Sequence, residues 1–107
     1  MLSQKHCVPC EGAVKPLTRQ QIDKYLSTVT GWEVSEDEKA IEKKFVFKNF
    51  TEAIDFINNV AKIAEEEQHH PDIFLHGWNK VDITLSTHAI GGLSENDFIL
   101  AAKINAL

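Results

Sequence analysis

Five histidines, His6, His69, His70, His76 and His88, are the residues in this chain best suited to chemistry. An imidazole titrates near neutral pH, so a cluster of them can move protons in both directions. Three stand where the pattern predicts that elements end. His69 and His70 close a long helical pattern just before Pro71, and His88 closes a strand pattern, in phase with the polar Thr84 and Ser86. Side chains at element ends can reach a common cleft. The simpler role for the same residues is to complement a helix macrodipole and cap its last carbonyls. Glu65 lies four residues before His69, on the same face of a helix, where it could hold or bias that ring. Glu66 and Glu67 read as a solvated helix face. Asp97 reads equally as the N3 residue of a last helix or as a polar group at a site. Trp78 reads as a core staple or as a flat wall for an aromatic ligand.

Metal chemistry is less well supported. His6, Cys7 and Cys10 supply three candidate ligands, one fewer than a structural zinc site usually takes. Adjacent histidines cannot both face one metal from a regular helix, and no His-x-x-x-His occurs. No strand precedes the single Cys-x-x-Cys, which argues against a thioredoxin-like role. The chain has no phosphate-binding loop, dinucleotide fingerprint or serine elbow. We assign no metal.

Behind these residues stands a chain of 107, the size of one domain. Lys and Arg total 11 against 16 Asp and Glu, so the net charge is −5, which disfavours binding to nucleic acid phosphates. The chain is 43 % hydrophobic and 25 % charged, values ordinary for a soluble domain. No apolar run approaches the roughly 20 residues that span a bilayer, and Met1 to Cys10 lacks the apolar core of a secretion signal. Two cysteines are too few for a disulfide scaffold. These features predict a cytoplasmic, reducing setting.

The elements that must position the histidines are well signalled. Residues 1–16, with Cys7, Pro9, Cys10, Gly12 and Pro16, read as an irregular arm; residues 17–107 read as a single domain. Thr18 and Gln21 form a capping box, with Leu17 and Ile22 as its hydrophobic staple. Ile22, Tyr25, Leu26 and Val29 then recur at helical spacing, and Gly31 suits a left-handed terminus. Trp32–Ser35 and Ile41–Phe47 alternate as strands around the turn at 36–39, although Lys43 interrupts the second apolar face. Asn49 to Gln68 reads as a long helix with Asn49 and Glu52 at its start. Its stripe of Phe50, Ala53, Ile54, Ile57, Val60, Ala61 and Ala64, widened by Phe56 and Ile63, exceeds what one sheet face needs and suggests a second subunit. Asp72–Trp78 reads as a strand or loop, and residues 81–86 as a strand with one apolar face. Ile90 to Gly92 form a turn, and Ser94 starts the last helix with Leu93 and Phe98 as its staple. The order α-β-β-α-β-β-α predicts an α+β two-layer sandwich, with helices on one face of a four-stranded antiparallel sheet.

The stretch Glu65-Glu66-Glu67-Gln68-His69-His70-Pro71, then Trp78, then 79–88 ending Ser86-Thr87-His88, then Gly91-Gly92-Leu93-Ser94-Glu95-Asn96-Asp97-Phe98, resembles the pterin-4a-carbinolamine dehydratase family. The resemblance runs from about Leu17 to the C-terminus and includes Gly31-Trp32 and the Phe45-x-Phe-x-x-Phe50 lead-in. Gln68 stands where some members carry Asp, and Ile73 where many carry an aromatic residue. One extra residue lies in the Leu75–Gly77 turn. The resemblance implies the sandwich fold, a homodimer or homotetramer, a pterin substrate and no metal or organic cofactor. It implies dehydration of 4a-hydroxytetrahydropterin to quinonoid dihydropterin, with His69, His70 and His88 catalytic. Glu65, Pro71, Trp78, Ser86, Thr87 and Asp97 would contact or support the substrate. Two other functions remain open on the same residues. One is a dimerisation or regulatory protein that uses the long helix; the other is an accessory protein of molybdopterin metabolism.

Overall fold

The computed structural model describes residues 2–8 and 15–107. Cys10 and the middle of the arm lie outside the described residues. The elements are α1 (Arg19–Leu26), β1 (Glu33–Val34), β2 (Ile41–Val46), α2 (Phe50–Glu67), β3 (Asp72–His76), β4 (Lys80–Leu85) and α3 (Glu95–Asn105). Short 3-10 turns at Leu2–Gln4 and His88–Ile90 complete them. The sheet order is β1-β2-β4-β3, with every neighbouring pair antiparallel. This is the expected α+β fold of three helices and a four-stranded sheet.

The caps form as their chemistry dictates. The Thr18 hydroxyl accepts from the Gln21 N–H, and the Gln21 side chain accepts from the Thr18 N–H at 2.9 Å. Asn49 Oδ1 accepts from the Glu52 N–H at 2.8 Å and starts α2. Period-two burial in β4 turns Val81, Ile83 and Leu85 inward against Val60, Leu93, Phe98 and Leu100. The extended reading of Asp72–Trp78 resolves into β3 followed by a tight turn, in which Gly77 and Trp78 both take positive φ.

Two elements depart from the pattern. Helix α1 stops at Leu26, short of the Val29–Gly31 end that spacing suggests. The Ser27 and Thr28 hydroxyls donate to the carbonyls of Lys24 and Tyr25, each at 2.7 Å, and so terminate the helix locally. Val29 still packs in the core from the following turn. Lys43, in turn, does face the helical layer. Its Nζ donates to Thr30 O and Asn105 Oδ1 at 3.0 and 2.9 Å, and lies 5.0 Å from the centre of the Phe45 ring. Burial pushes its pKa below the usual lysine value.

The arm is docked on the domain. Lys103 Nζ donates to Ser3 O at 3.0 Å, and the 3-10 turn at Leu2–Gln4 packs on α3.

Candidate active site

Helix α2 ends at an unusual residue. Gln68 takes the left-handed conformation, φ +54°, which costs a non-glycine residue about 1 kcal/mol or more. The chain swings off the helix axis there, and the two histidines that follow separate. His69 points to the start of α3, where its Nε2 lies 2.6 Å from Asp97 Oδ1. His70 turns back, and its Nε2 pairs with Glu65. The four-residue spacing from Glu65 to His69 therefore does not form a pair, because that rule requires the helix to continue through residue 69.

Asp97 is fully buried and gathers three donors. Its Oδ2 accepts from the Ser94 N–H at 2.9 Å, as the capping position requires, and from Thr87 Oγ1 at 2.8 Å. Thr87 has only one hydroxyl proton, so in its 2.8 Å contact with Ser94 Oγ the serine must donate. No proton in this network is left for Asp97 to give. The carboxylate therefore accepts from His69 Nε2–H, which selects the tautomer whose free nitrogen is Nδ1. The His69 side chain is only 12 % exposed, so its orientation is fixed from behind.

His88 opens the 3-10 turn after β4 and is exposed. Its ring makes no hydrogen bond among the described residues. Gly91, at φ +65°, closes this turn by donating to His88 O at 3.1 Å, and Thr87 bridges to Gly92. A cavity of about 660 Å³ brings His69, His70 and His88 together, within the range of small-molecule sites. Ser86, Thr87 and Ala89 line it beside His88, Glu66–Gln68 line it from the end of α2, and Asn96 from α3. Glu65 and Asp97 stand behind it, each holding one histidine.

Two expected contributors lie elsewhere in this chain. Trp78 is 61 % exposed at the tip of the β3–β4 hairpin, whose other end carries the cavity. Five paired residues of strand separate the two, about 16 Å at roughly 3.3 Å per residue. Pro71 follows His70 without lining the cavity, and serves to make the backbone before β3 extended.

Sequence reasoning missed the third wall. His6, Cys7 and Val8 of the arm line the same cavity. Glu67 holds them: its Oε1 accepts from the Cys7 N–H at 2.7 Å and its Oε2 pairs with His6 Nδ1 at 3.0 Å. The Glu67 side chain is 5 % exposed and sits 3.7 Å from Lys103 Nζ. Burial pushes its carboxyl up, but the Cys7 N–H, the His6 ring and the Lys103 charge together outweigh that and hold it below the ordinary value. Asn96 secures the next residue, accepting from the Val8 N–H at 3.0 Å and donating to Val8 O. The solvated reading of Glu67 therefore fails. The signal was present, since Glu67 follows Val60 and Ala64 by seven and three residues and so continues the buried stripe of α2. Among the described residues no group of three metal-ligating side chains converges.

Comparison with known proteins gives a consistent result. The family model described as pterin 4 alpha carbinolamine dehydratase matches residues 15–107. A Rubrobacter xylanophilus protein bearing that family name is 47 % identical over 106 residues, 99 % of this chain and 97 % of its own. A mitochondrial pterin-4-alpha-carbinolamine dehydratase 2 of Arabidopsis thaliana is 50 % identical over 109 residues, 99 % of this chain and 58 % of its own. The crystal structure of a transcriptional coactivator/pterin dehydratase from Brucella melitensis matches with a TM-score of 0.81 at 37 % identity. The match covers 86 % of this chain and 97 % of that one.

Proposed function

The chain belongs to the pterin 4 alpha carbinolamine dehydratase family of hydro-lyases, and we propose that it dehydrates 4a-hydroxytetrahydropterin to quinonoid dihydropterin, returning an oxidised tetrahydropterin to its reduction cycle. The supporting observation is the convergence of three imidazoles from two separate stretches of chain on one cavity, one of them fixed by a buried carboxylate.

The reaction breaks the C4a–O bond and removes a proton from a ring nitrogen, so water leaves and a C=N bond forms. It needs one group to protonate the departing hydroxyl and one to take the nitrogen proton, both near neutral pKa. His69 and His70 form the proton-transfer pair. His69 offers Nδ1 to the substrate while Asp97 holds Nε2; His70 is oriented by Glu65. His88, without a hydrogen-bond partner among the described residues, positions or polarises the hydroxyl. Ser86 lines the floor beside it, and Thr87 contributes through Asp97. Pro71 and Trp78 do not line this chain's cavity. His69→Ala, His70→Ala and His88→Ala, assayed one at a time for carbinolamine dehydration, test the assignment. Full activity in all three would end it.

In this reading residues 17–107 are the catalytic domain and residues 1–16 an arm appended to it. The protein works in the cytoplasm as a homodimer or homotetramer. Support for assembly comes from α2, where Phe50 is exposed and Ile54, Ile57 and Ile63 are only half-buried. A second reading, a regulatory binding protein, draws on the coactivator half of the Brucella protein's description. Ile57→Asp separates the two: it should abolish partner binding or self-assembly and leave the monomer's pocket groups in place.

A further inference from the structure

We infer that His6 of the N-terminal arm is a substrate-binding residue at this site, and that Glu67 is the positioning residue that presents it. The inference rests on the dehydratase reading above and deepens it by adding a specificity contact.

His6 lies 61 residues from Glu67 in sequence, and its ring is 81 % exposed, yet it lines the same cavity as the three central histidines. An exposed ring gains little from one surface pairing. Its partner here is not a surface group. The Glu67 side chain is almost wholly buried, its carboxyl is held low by two hydrogen-bond donors and the Lys103 charge, and it grips the backbone of the next residue as well as the ring. A carboxylate can only accept, so the His6 ring donates Nδ1–H to it, and the tautomer that this selects leaves Nε2 as an acceptor. That nitrogen has no partner among the described residues.

The cavity therefore contains an acceptor remote in sequence from the proton-transfer groups, fixed in tautomer by a second buried-carboxylate pairing. Asp97 orients His69 in the same way. A pterin carries donors on its pyrimidine edge, the 2-amino group and N3–H, away from the reacting C4a. An acceptor at the arm matches that edge. His6 then takes a hydrogen bond from the amino group and contributes to binding without joining the chemistry. Sites built to pair a substrate N–H discriminate strongly against analogues that lack it.

The experiment uses the full chain, with 7,8-dihydropterin and its 2-desamino analogue as probes. Expected for His6→Ala is a five- to tenfold higher KM for the carbinolamine, with kcat within twofold of wild type. The Kd of 7,8-dihydropterin should weaken by the same factor, and that of the 2-desamino analogue should not change. Glu67→Gln should produce the same KM pattern through the arm, and His6→Asn, which keeps an acceptor, should recover part of the loss. The inference is overturned if His6→Ala leaves both Kd values within twofold of wild type. It is also overturned if kcat falls while KM holds, or if both probes weaken equally. His6 is an exposed ring, so its removal leaves the fold intact, and circular dichroism verifies this. A wild-type protein that neither dehydrates the carbinolamine nor binds 7,8-dihydropterin would instead refute the parent reading.

Discussion

The two ends of α3 each carry a polar knot tied around one short side chain beside a cavity, and only one of them can do acid–base work. At the N-terminal end, Asp97 binds Ser94, Thr87 and His69. At the C-terminal end, Asn105 Oδ1 accepts from Trp32 Nε1 at 3.0 Å and Lys43 Nζ at 2.9 Å, while its Nδ2 donates to Thr30 O at 3.1 Å. A second cavity of about 560 Å³, lined by Leu2, Thr28 and Ala102 among others, opens beside Asn105. The indole and the ammonium can only donate, and the amide does not titrate. That end satisfies its polar groups and stops there. The Asp97 end differs in one respect: a partner of the buried acceptor is an imidazole with a second nitrogen facing the cavity. A cavity and a buried polar network do not make an acid–base site without a side chain, such as an imidazole, that can both give and take a proton.

Breaking the contrast at Asp97 should produce the largest effect. Asp97→Asn keeps the shape but removes the charge that selects the His69 tautomer. The expected loss in kcat/KM is roughly 10²–10⁴-fold, measured by steady-state dehydration, with a cooperative melt showing that the fold persists. Activity within threefold of wild type would refute the proposed role of the Asp97–His69 pair.

The converse test is at Asn105. Asn105→Ala leaves the Trp32 and Lys43 donors short of an acceptor and should cost about 2–3 kcal/mol of stability in urea titration. The kcat of the folded enzyme should stay within twofold of wild type. A large fall in kcat would mean that the two ends are coupled along α3.

A third test sharpens the comparison by pH. The Glu67 carboxyl is held low in the folded chain, so its clamp on Cys7 is at full strength above the unfolded carboxylate value. It is lost as pH falls through the lower, folded one. The Cys7 amide resonance should therefore shift in an acid titration centred below the ordinary glutamate value. In Glu67→Gln that titration should be absent, and the Trp32 indole resonance at the other end should not follow it in either protein.

The smallest effect is expected at Gln68. Gln68→Gly relieves a left-handed non-glycine residue outside the helix interior and should stabilise by about 0.5–1 kcal/mol. No gain in the melting temperature would show that Gln68 recovers its backbone cost through its side chain.

Much of this was legible in the residues. Capping boxes at Thr18 and Ser94, the stripe of α2 and the alternation in β4 are local signals, and local hydrogen bonding and burial enforce them. The motif residues gathered by family likeness also meet in space, apart from Pro71 and Trp78. The distance of Trp78 from the cavity could not be read from spacing, because hairpin geometry decides which end of β3–β4 faces the cavity. Pairing was the other blind spot. Glu65 serves His70 rather than His69 because one left-handed residue ends the helix first, and no periodicity rule contains that turn.

The sequence by itself determined the elements and the fold class, since each follows from side-chain type and short-range spacing, and its likeness to a known family supplied the expectation of the chemistry. Tertiary structure decided which carboxylate holds which imidazole, that Glu67 is buried rather than solvated, and that an arm about sixty residues distant in sequence forms a wall of the site. Those outcomes depend on where the chain goes after each helix ends, and that path is set by packing across the whole domain.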